Sequence, residues 1–597
     1  MKYVVATAGH VDHGKSTLVR ALTGIEPDRW EEERRRGLTI DLGFAWTTLP
    51  SGADVAFVDV PGHERFIPNM LAGLGPAPVV LFVVAADEGW RAQSDDHRDA
   101  IAALGIQSGL LVITRADRAS ADRIREVIDE ARHRLGDTGL AHVPAVVVSA
   151  IDHSGIDELR TTLDDVLAQS PSPPSSGRVR FWVDRVFTRT GAGTVVTGTL
   201  ASGTISVGDT LELHTPHGGR RVDVRGLQSE GTTLATAGPV SRVAVNLRGA
   251  GVDDVARGDA LVTPGAWHAS ALIDLRRASG TPFDEAPEHL IAHIGTAAVP
   301  VRVRPLDPDH GRLTLAHALP LSNGDRVVLR DPGQRIVVGG VVLHPDPPPL
   351  TRRGDAARRA AILAATTDGA GAAEEVMRRG AVRVADLARL GLVGDADSAP
   401  RSVRVIDGWW VAEASLAAWA GRLHTSVLEL HERDPLSAGM SAAGAPALLG
   451  LPDSALLDAV VAEAGLTSSD GHLSAPGHIP SLGDAEDAVR ALERRLTDQP
   501  FRAPEADDLS TLGLGARELA AAEHTGRVLR LRDGVVLLPT APAMAMRILA
   551  SLDQPFTTSA ARQALGTTRR VVIPLLEYLD SRRWTRRIDA GHREVVR

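Results

Sequence analysis

The stretch GHVDHGKST, residues 9–17, decides how the N-terminal part of this chain folds. It follows the apolar run YVVATA and has the spacing Gly-x4-Gly-Lys-Ser, which is typical of a phosphate-binding P-loop between a strand and a helix. Its glycines let backbone amides close around phosphate oxygens, and Ser16 offers a hydroxyl to Mg²⁺. Lys15 is one of only two lysines among 65 basic residues. A compact ammonium fits this cradle better than a wide guanidinium, so we predict that phosphate binding retains Lys15.

Length and composition predict a soluble protein of several domains. The chain has 597 residues, 43% of them hydrophobic, a formal net charge of −10 and no cysteine. A chain of this length is too long to fold around a single hydrophobic core. It contains no run of 18 apolar residues, so the sequence predicts no membrane-spanning helix. Without cysteine there are no disulfides and no thiolate metal sites. The N-terminus does not resemble a signal peptide, so we expect a cytoplasmic protein without membrane association. We also expect it to be a monomer.

The order of apolar runs divides the first part of the chain into three domains. Residues 1–170 alternate apolar strands with amphipathic helices, which predicts a mostly parallel α/β sheet. Short Val-rich strands between Gly-Asp and Pro-Gly turns then predict two antiparallel β-barrels, at 178–265 and 268–346. The Pro-rich stretches QSPSPPSSGR (169–178) and HPDPPPLTRRG (344–354) are predicted linkers.

A repeat organises the Ala- and Leu-rich region 355–597. Hairpin signals recur at Asp407-Gly408, Asp470-Gly471 and Asp533-Gly534, and a looser Asp589-Ala590-Gly591 follows. Helices precede each signal and strand-like residues flank it, so we predict tandem α+β winged helices. The expected modules are about 355–415, 420–480, 484–541 and 542–597. An irregular helical bundle with chance Asp-Gly turns is the alternative.

Two further motifs fit a nucleotide triphosphatase. In DVPGH (59–63), Asp59 would hold a metal ion through water, Gly62 would donate its amide to the γ-phosphate, and His63 would orient the attacking water. In RGLTI (36–40), Thr39 is a candidate second Mg²⁺ ligand, on a segment that orders with the triphosphate. A solvated charged helix is the alternative for the neighbouring residues 29–36.

The base-binding motif favours guanine. Asp117 would accept hydrogen bonds from the N1 and 2-amino groups of guanine, which adenine lacks as a pair. The usual Asn-Lys-x-Asp motif of GTPases here reads Thr114-Arg115-Ala116-Asp117. Thr114 lacks the side-chain amide of the usual Asn, and Arg115 must replace the lysine stem that packs over the base. We therefore predict GTP and Mg²⁺ as cofactors.

The predicted nucleotide-binding residues are Gly9, His10, Val11, Asp12, His13, Gly14, Lys15, Ser16, Thr17, Gly62, Thr114, Arg115, Asp117, Ser149 and Ala150. The predicted metal ligands are Ser16, Thr39 and Asp59, and the predicted catalytic residue is His63.

These motifs, together with VFTRTGAGTVVTGTL (186–200), resemble the elongation factor Tu branch of translational GTPases over residues 1–345. The resemblance implies GTP-controlled domain closure and transfer RNA held by the barrels. It also implies hydrolysis that the ribosome triggers, with His63 central.

The remaining part of the chain resembles a narrower family. Elongation factor Tu ends after its second barrel, whereas an extension of four winged helices is typical of the bacterial selenocysteine-specific elongation factors. LSNGDRVVLRDPGQRIVVGGVVL (321–343) and GTTRRVVIPLLEYLDSRRWTRR (566–587) are similar to that family, as is Thr114. Arg115 still departs from its pattern. The resemblance implies delivery of selenocysteinyl-tRNA to the ribosome at in-frame UGA codons, with the extension bound to a messenger RNA hairpin.

Charge places the RNA contact in the last module. Residues 541–597 contain 10 Arg and 5 acidic residues, whereas the whole chain is acidic. A local basic patch of this kind indicates a nucleic-acid site. A stripe of Val572, Leu575, Leu576 and Leu579 predicts a buried helix face, and Pro574 predicts a kink or a later start. The expected RNA-binding residues are Arg569, Arg570, Arg582 and Arg583. A merely soluble Arg-rich end is the alternative.

The resemblance also assigns an aminoacyl pocket to Asp184, Arg185 and Arg242. A selenol ionises at neutral pH whereas the serine hydroxyl stays neutral, so cationic donors would separate the two aminoacyl groups electrostatically. Surface arginines on barrel strands are nevertheless common in an Arg-rich chain.

Two other functions remain open from the sequence. One is a general aminoacyl- or initiator-tRNA delivery GTPase with an unrelated helical tail, which would bind ordinary aminoacyl-tRNAs tightly. The other is a GTP-sensing DNA-binding regulator whose winged helices read the major groove. It would bind duplex DNA sequence-specifically through residues 355–597.

Overall fold

The computed structural model describes residues 2–27, 39–170, 177–189, 191, 193–331, 336–366, 371–394, 397–478 and 482–596. The predicted charged helix at 29–36 and most of the predicted linker 169–178 lie outside these residues. Contacts divide the chain into two compact units. The first comprises Met1–Glu374 and Arg383–Ser398, and the second comprises Glu375–Val382 and Ala399–Arg597.

The first domain of the first unit is a six-stranded sheet with helices on both faces. Its strand order is β2-β3-β1-β4-β5-β6, and all pairs are parallel except β2 with β3. Two separate apolar layers cover the two faces. The strands are β1 Lys2–Ala8, β2 Gly43–Thr48, β3 Asp54–Asp59, β4 Val79–Ala85, β5 Ser108–Thr114 and β6 Ala145–Val147. The helices are α1 Lys15–Thr23, α2 Ile67–Leu74, α3 Ala92–Leu104, α4 Ala121–Arg134 and α5 Ile156–Gln169.

The second domain is an antiparallel barrel around its own apolar core. Its strands follow the order β10-β15-β7-β8-β14-β11, and pairing of β10 with β11 closes the barrel. Strands β12, β9 and β13 decorate it. The strands are β7 Arg180–Arg189, β8 Gly193–Leu200, β9 Ile205–Ser206, β10 Thr210–Thr215, β11 Gly218–Ser229, β12 Thr232–Leu234, β13 Thr236–Ala237, β14 Ser241–Arg248 and β15 Ala260–Val262.

The third domain is a closed six-stranded barrel of order β16-β19-β18-β17-β20-β21. Helix α3 of the first domain lies against three of its strands, β16, β20 and β21. The approach is so close that a Cβ on Gly339 would lie 2.5 Å from the Cα of Ala103. The strands are β16 His268–Gly280, β17 His289–Ile294, β18 Ala297–Pro305, β19 His310–Leu321, β20 Arg326–Arg330 and β21 Ile336–His344.

The second unit, together with the end of the first, repeats one arrangement of helices followed by a hairpin. The repeats differ in detail, because the third has only the two strands of its hairpin. The helices are α6 Asp355–Ala365, α7 Gly371–Arg379, α8 Val384–Arg389, α9 Glu413–Arg433, α10 Ala445–Leu449, α11 Leu457–Glu463, α12 Glu486–Asp498, α13 Ala506–Thr511, α14 Ala516–His524, α15 Ala541–Leu549, α16 Thr558–Ala564 and α17 Arg569–Ser581. The strands are β22 Ala381–Arg383, β23 Val403–Ile406, β24 Trp409–Ala412, β25 Met440–Ser441, β26 Thr467–Ser469, β27 His472–Ser474, β28 Leu529–Arg530, β29 Val536–Leu537, β30 Phe556–Thr557, β31 Thr585–Arg587 and β32 His592–Val595.

The Asp-Gly signals are turns in which both residues have positive φ. The angles are 45° and 79° at Asp407 and Gly408, and 49° and 76° at Asp470 and Gly471. A two-residue hairpin turn of this handedness matches the twist of its strands, which explains the choice of Asp-Gly. At Asp533 and Gly534 the angles are similar, 58° and 69°, but five residues separate β28 from β29.

The repeats share their interiors in pairs. One apolar cluster extends from Ala381 to Leu473, and another from Leu482 to Leu579. The second cluster includes the predicted buried stripe of α17, all four residues of which are inaccessible to solvent. Helix α17 starts at Arg569 and continues through Pro574, so the alternative of a later start is wrong.

The predicted fold class is confirmed: an α/β P-loop domain, two antiparallel barrels and C-terminal winged helices. None of the helices in the described residues has the length and apolar character needed to cross a membrane. Strand β2 was not among the strands that the sequence predicted, and it contributes to the barrel pocket described below.

Candidate functional site

The phosphate loop connects β1 to α1 through a strained backbone. Gly9, Asp12 and Gly14 have φ values of 128°, 62° and 82°. A Cβ on Gly9 would lie 2.2 Å from the carbonyl oxygen of Val83 on β4, so no other residue fits there. The loop therefore has the geometry that the glycine spacing predicts, with its amides at the N-terminus of a helix, where anions bind.

Lys15 lies inside this loop and is buried. Its Nζ donates to the carbonyl oxygens of Gly9 and His10, at 2.9 and 2.8 Å. Gly62 packs directly on it, because a Cβ at Gly62 would be 2.5 Å from Nζ and 2.6 Å from the amide nitrogen of Val11. The loop and the DVPGH motif are thus in contact, and that contact requires glycine at position 62.

The three predicted metal ligands meet at one point. The Ser16 hydroxyl donates to Asp59 Oδ2 at 2.6 Å and lies 3.0 Å from the Thr39 hydroxyl. Thr7, which sequence reasoning missed, donates to Asp59 Oδ1 at 2.7 Å and fixes the carboxylate. Burial raises the pKa of Asp59, and nearby Lys15 opposes this shift. Two hydroxyls and one carboxylate are hard oxygen donors, so this set fits Mg²⁺.

A cleft of about 580 Å³ extends from these residues to the base-binding motif. Most of the predicted nucleotide-binding residues line it, whereas Gly9, His10, His13 and Ser149 lie behind the lining and support it. The residues from the predicted set that line the cleft are Val11, Asp12, Gly14, Lys15, Ser16, Thr17, Gly62, Thr114, Arg115, Asp117 and Ala150.

Thr114 and Arg115, the two departures from the common motif, are both bonded to the phosphate loop. The Thr114 hydroxyl donates to the carbonyl oxygen of His13 at 2.7 Å. Arg115 donates to the carbonyl oxygen of Asp12 and pairs with Glu88 at 2.7 Å. The hydroxyl therefore keeps a link between the base motif and the loop in place of an amide. Ser149 has a similar supporting role, because its Oγ accepts from the Ile151 amide at 3.3 Å.

Three histidines surround the loop and are neutral. Burial lowers the pKa of His13 to about 3, and it also lowers the pKa of His10 and, strongly, that of His97. His97, which the sequence did not indicate, hydrogen-bonds the backbone of Gly62. Since none of these rings is charged near neutral pH, Lys15 is the cation that the loop itself offers to phosphate.

His63 is placed at the edge of this region and is not among the residues that line the cleft. It caps the turn Glu64–Phe66, because its Nδ1 accepts from the Arg65 amide at 3.2 Å. With Nδ1 accepting this hydrogen bond, Nε2 is the ring nitrogen that remains to donate one. The structure thus leaves the predicted catalytic side chain outside the place where phosphate would bind.

The residues predicted for the aminoacyl pocket come together on the first barrel. A β-bulge between Val183 and Arg185 turns the Asp184 side chain inward and leaves Arg185 partly exposed. Arg242 on β14 makes two bonds to the Asp184 carboxylate, at 2.6 and 2.9 Å. Thr197 also donates to Asp184, at 2.8 Å. Asp184 is 6% exposed, so this is a buried ion pair.

An aromatic residue from β2 completes this pocket. The guanidinium of Arg242 lies 3.5 Å from the centroid of the Phe44 ring, and that of Arg185 lies 4.7 Å away. Both arginines, Phe44 and Trp46 line a cavity of about 240 Å³. Sequence reasoning missed the aromatic pair, although the alternating pattern of GFAWTT was a usable strand signal.

The basic residues of the last module have two different environments. Arg569, Arg582 and Arg583 are exposed. Arg570 instead donates to the carbonyl oxygens of Ala503 and Pro504, at 3.2 and 2.8 Å, in the preceding repeat. Trp584 is 41% exposed beside Arg583, and the sequence analysis did not single it out.

Family profiles match three parts of the chain. "Elongation factor Tu GTP binding domain" matches residues 2–169, and "Elongation factor Tu domain 2" matches residues 193–262. "Elongation factor SelB, winged helix" matches residues 547–593, in the last repeat. The matched regions are the first domain, most of the first barrel and the basic end.

Whole-length relatives decide the family. The chain is 32% identical to the selenocysteine-specific elongation factor of Escherichia coli (strain K12), over 99% of this chain and 98% of that protein. This chain belongs to the selenocysteine-specific elongation factors. It is also 30% identical to the selenocysteine-specific elongation factor of Desulfomicrobium baculatum over the full length of both. A crystal structure of a bacterial selenocysteine-specific elongation factor matches with a TM-score of 0.81 and 25% identity, covering 100% of each chain.

Membership of the selenocysteine-specific elongation factors settles two expectations. The first domain is a GTP-binding GTPase domain, as the sequence predicted. The alternative of a delivery factor with an unrelated tail is wrong, because the similarity to this family includes the C-terminal repeats.

Proposed function

We propose that this factor delivers selenocysteinyl-tRNA to the ribosome at in-frame UGA codons. In this proposal GTP controls the affinity of the barrels for selenocysteinyl-tRNA, and the last winged helix binds a messenger RNA hairpin. The factor would act in the cytoplasm as a monomer.

The observation that carries the proposal is the pair of arginines on the barrel pocket. A selenolate is an anion and the serine hydroxyl is neutral, so donors from guanidinium groups favour the former. A guanidinium has five N–H groups. Arg242 uses three donor bonds in its described contacts, two to Asp184 and one to Thr197 at 3.4 Å. Its remaining donors and those of Arg185 are suited to an anionic ligand.

In the nucleotide cleft, Lys15 and the loop amides would bind the phosphates, and Asp117 would read the guanine base. Mg²⁺ would be held by Ser16, Thr39 and Asp59, where it would neutralise charge on the phosphates. His63 follows the lining residue Gly62 but does not itself line the cleft, so in this proposal its ring turns toward the attacking water. The need for that turn supports hydrolysis that starts only when the ribosome is engaged.

On the last module, we propose that Arg569, Arg570, Arg582 and Arg583 contact the RNA backbone. Exposed arginines next to an exposed aromatic ring, as Arg582 and Arg583 are next to Trp584 in the chain, are typical of surfaces that bind phosphates and stack an unpaired base. Trp584 supplies that ring beside Arg583. Arg570 would contribute mainly by fixing the start of α17 to the preceding repeat, through its two carbonyl contacts.

Filter binding tests the amino-acid selectivity. Selenocysteinyl- and seryl-tRNA, with the same RNA body, would be retained on the factor in the presence of a non-hydrolysable GTP analogue. We expect the selenocysteinyl form to bind at least tenfold more tightly, and Arg242→Gln to lose most of this preference. Equal retention of the two RNAs by the unmodified factor would refute the proposal.

Hairpin binding needs point variants, because deleting residues after 540 would remove half of a shared core. We expect the double variant Arg582→Ala and Arg583→Ala to weaken binding of the hairpin at least tenfold and to leave GTP hydrolysis unchanged. Arg490→Ala is the matched control, since Arg490 is exposed on α12 and pairs only locally with Glu486 and Asp487. Unchanged hairpin affinity in the double variant would contradict the assignment.

A further inference from the structure

The segment of residues 39–44 links the two sites described above. At its first residue, the Thr39 hydroxyl lies 3.0 Å from Ser16 in the metal-ligand cluster. At its last residue, the Phe44 ring lies against both pocket arginines. Five peptide bonds therefore separate a residue that would hold the nucleotide's metal ion from a residue that forms the aminoacyl pocket.

Between these two ends, the barrel holds the segment by its polar groups. Arg185 donates to Asp41 Oδ2 at 2.9 Å and to the carbonyl oxygen of Leu42. The Asp41 carboxylate also lies 3.8 Å from Arg257, a second barrel arginine. The pocket arginine Arg185 is therefore oriented by an acid that belongs to the GTPase domain.

Asn69 on α2 adds a second support to the same segment. Its amide nitrogen donates to the Ile40 carbonyl oxygen at 3.0 Å, and its amide oxygen accepts from Arg257 at 2.8 Å. Barrel, α2 and segment thus form one continuous polar network. Because these contacts are directional and partly buried, the segment and the arginines have to adopt their positions together.

We propose that Asp41 is a positioning residue for the aminoacyl pocket. It holds Arg185 in place only while Thr39 is docked at the metal cluster, so that the preference for an anionic aminoacyl group depends on the bound nucleotide. The inference rests on the proposed function for the identity of the cargo. The link between segment and barrel can be tested without the cargo.

Linkage gives the physical reason for two independent readouts. A contact that stabilises residues 39–44 in the position seen here must also raise the affinity for the nucleotide that stabilises the same position. By linkage, that nucleotide in turn strengthens the contact. Losing the Asp41–Arg185 contact should therefore weaken a GTP analogue more than GDP in the free factor. It should also weaken selenocysteinyl-tRNA more than seryl-tRNA in the complex with the GTP analogue.

The first experiment uses nucleotide binding alone. We expect Asp41→Asn and Arg185→Gln each to lower the affinity for a non-hydrolysable GTP analogue about fivefold relative to GDP. The double variant should lose less than the sum of the two single losses, because both single variants remove the Asp41–Arg185 contact. Asp122→Asn, an exposed acid on α4, is the control and should leave both affinities unchanged. An unaltered ratio of the two affinities in both single variants would overturn the inference.

The second experiment uses the charged RNAs. In the GTP-analogue state, we expect Asp41→Asn to reduce the preference for selenocysteinyl- over seryl-tRNA about tenfold, and Asp41→Glu to retain most of it. A merely structural role would weaken both RNAs equally, and that result would also overturn the inference. If the unmodified factor shows no preference between the RNAs, the proposed function fails, and the nucleotide experiment still decides the role of Asp41.

Discussion

The nucleotide cleft and the barrel pocket each hold one cation by hydrogen bonds, but the partners that hold it differ. Lys15 is held by two neutral carbonyl oxygens at 2.8 and 2.9 Å. Arg242 is held by a buried carboxylate at 2.6 and 2.9 Å. The two carbonyl oxygens that hold Lys15 carry no charge, whereas the Asp184 carboxylate that holds Arg242 balances its charge.

This difference separates affinity from selectivity. A phosphate chain carries several negative charges, and the two described hydrogen bonds of Lys15 go to uncharged carbonyl oxygens, so in the proposed function the cleft is suited to strong binding. The barrel pocket offers directed donors with little net charge, because Asp184 and Asp41 accompany Arg242 and Arg185. Such a pocket can favour an anion over a neutral group through directed, charge-assisted hydrogen bonds without attracting every anion in solution.

Removing Arg242 should have the largest effect on stability. Arg242→Ala leaves Asp184 buried without its cation, which we expect to destabilise the barrel by about 3–5 kcal/mol. Thermal unfolding followed by circular dichroism would measure the loss. Arg248→Ala is the matched control, since Arg248 pairs with Asp223 on the exposed surface of the same barrel. If both variants unfold at the same temperature, Arg242 does not balance a buried charge.

Replacing the cleft cation tests the other side of the comparison. We expect Lys15→Arg to weaken GTP binding at least a hundredfold, about 3 kcal/mol, because the wider guanidinium meets Gly62 and the loop carbonyls. Titration calorimetry would measure it. Lys2→Arg is the control, because this other lysine lies outside the cleft, in a partly buried pair with Glu230 and a bond to Ser229 on the barrel. GTP affinity within a few-fold of the native protein in Lys15→Arg would refute the tight cradle.

A methyl group at the contact between the two cleft motifs should have a smaller effect. Gly62→Ala places a Cβ against Lys15 and the backbone of Val11, and we expect it to cost about 2 kcal/mol of GTP binding. GDP binding should change less, because the proposed role of the Gly62 amide is with the γ-phosphate. Fluorescent analogues of both nucleotides would measure the two affinities. Gly238→Ala, where no atom lies within 4 Å of the new Cβ, is the control and should have no effect.

The smallest expected effect concerns the departure in the base motif. Thr114→Val removes the bond to the His13 carbonyl oxygen, so we expect a loss of about 1 kcal/mol in the binding of GTP and GDP alike. Thr114→Ser keeps the hydroxyl and should bind both nucleotides as the native protein does. Equilibrium titration of the three proteins would decide, and equal affinities in all three would show that this hydroxyl contributes nothing.

The sequence predicted the cleft better than the pocket, and the reason is physical. Gly9, Lys15 and Asp59 lie in short contiguous motifs whose backbone geometry their spacing largely determines. Asp41 contacts Arg185, and Phe44 contacts Arg242, only because residues 41–44 of one domain lie against two strands of another. Such contacts depend on the tertiary arrangement, and local periodicity carries little information about them.

The C-terminal region shows the same limit. Asp-Gly spacing and the apolar stripe of α17 predicted the hairpin turns and the buried helix face, because both are local patterns. The bond from Arg570 to the carbonyl oxygens of Ala503 and Pro504 was not predictable, because it joins residues of different repeats. The pairing of repeats around common cores was not predictable for the same reason, because it depends on contacts between residues of different repeats.

The common interior from Leu482 to Leu579 also restricts how this protein can change over evolutionary time. A domain with its own interior can be exchanged for a homologue without disturbing its neighbours. Exchanging the last repeat alone would place mismatched side chains against the interior of the preceding repeat. The last two repeats therefore have to be inherited, or replaced, as a single block.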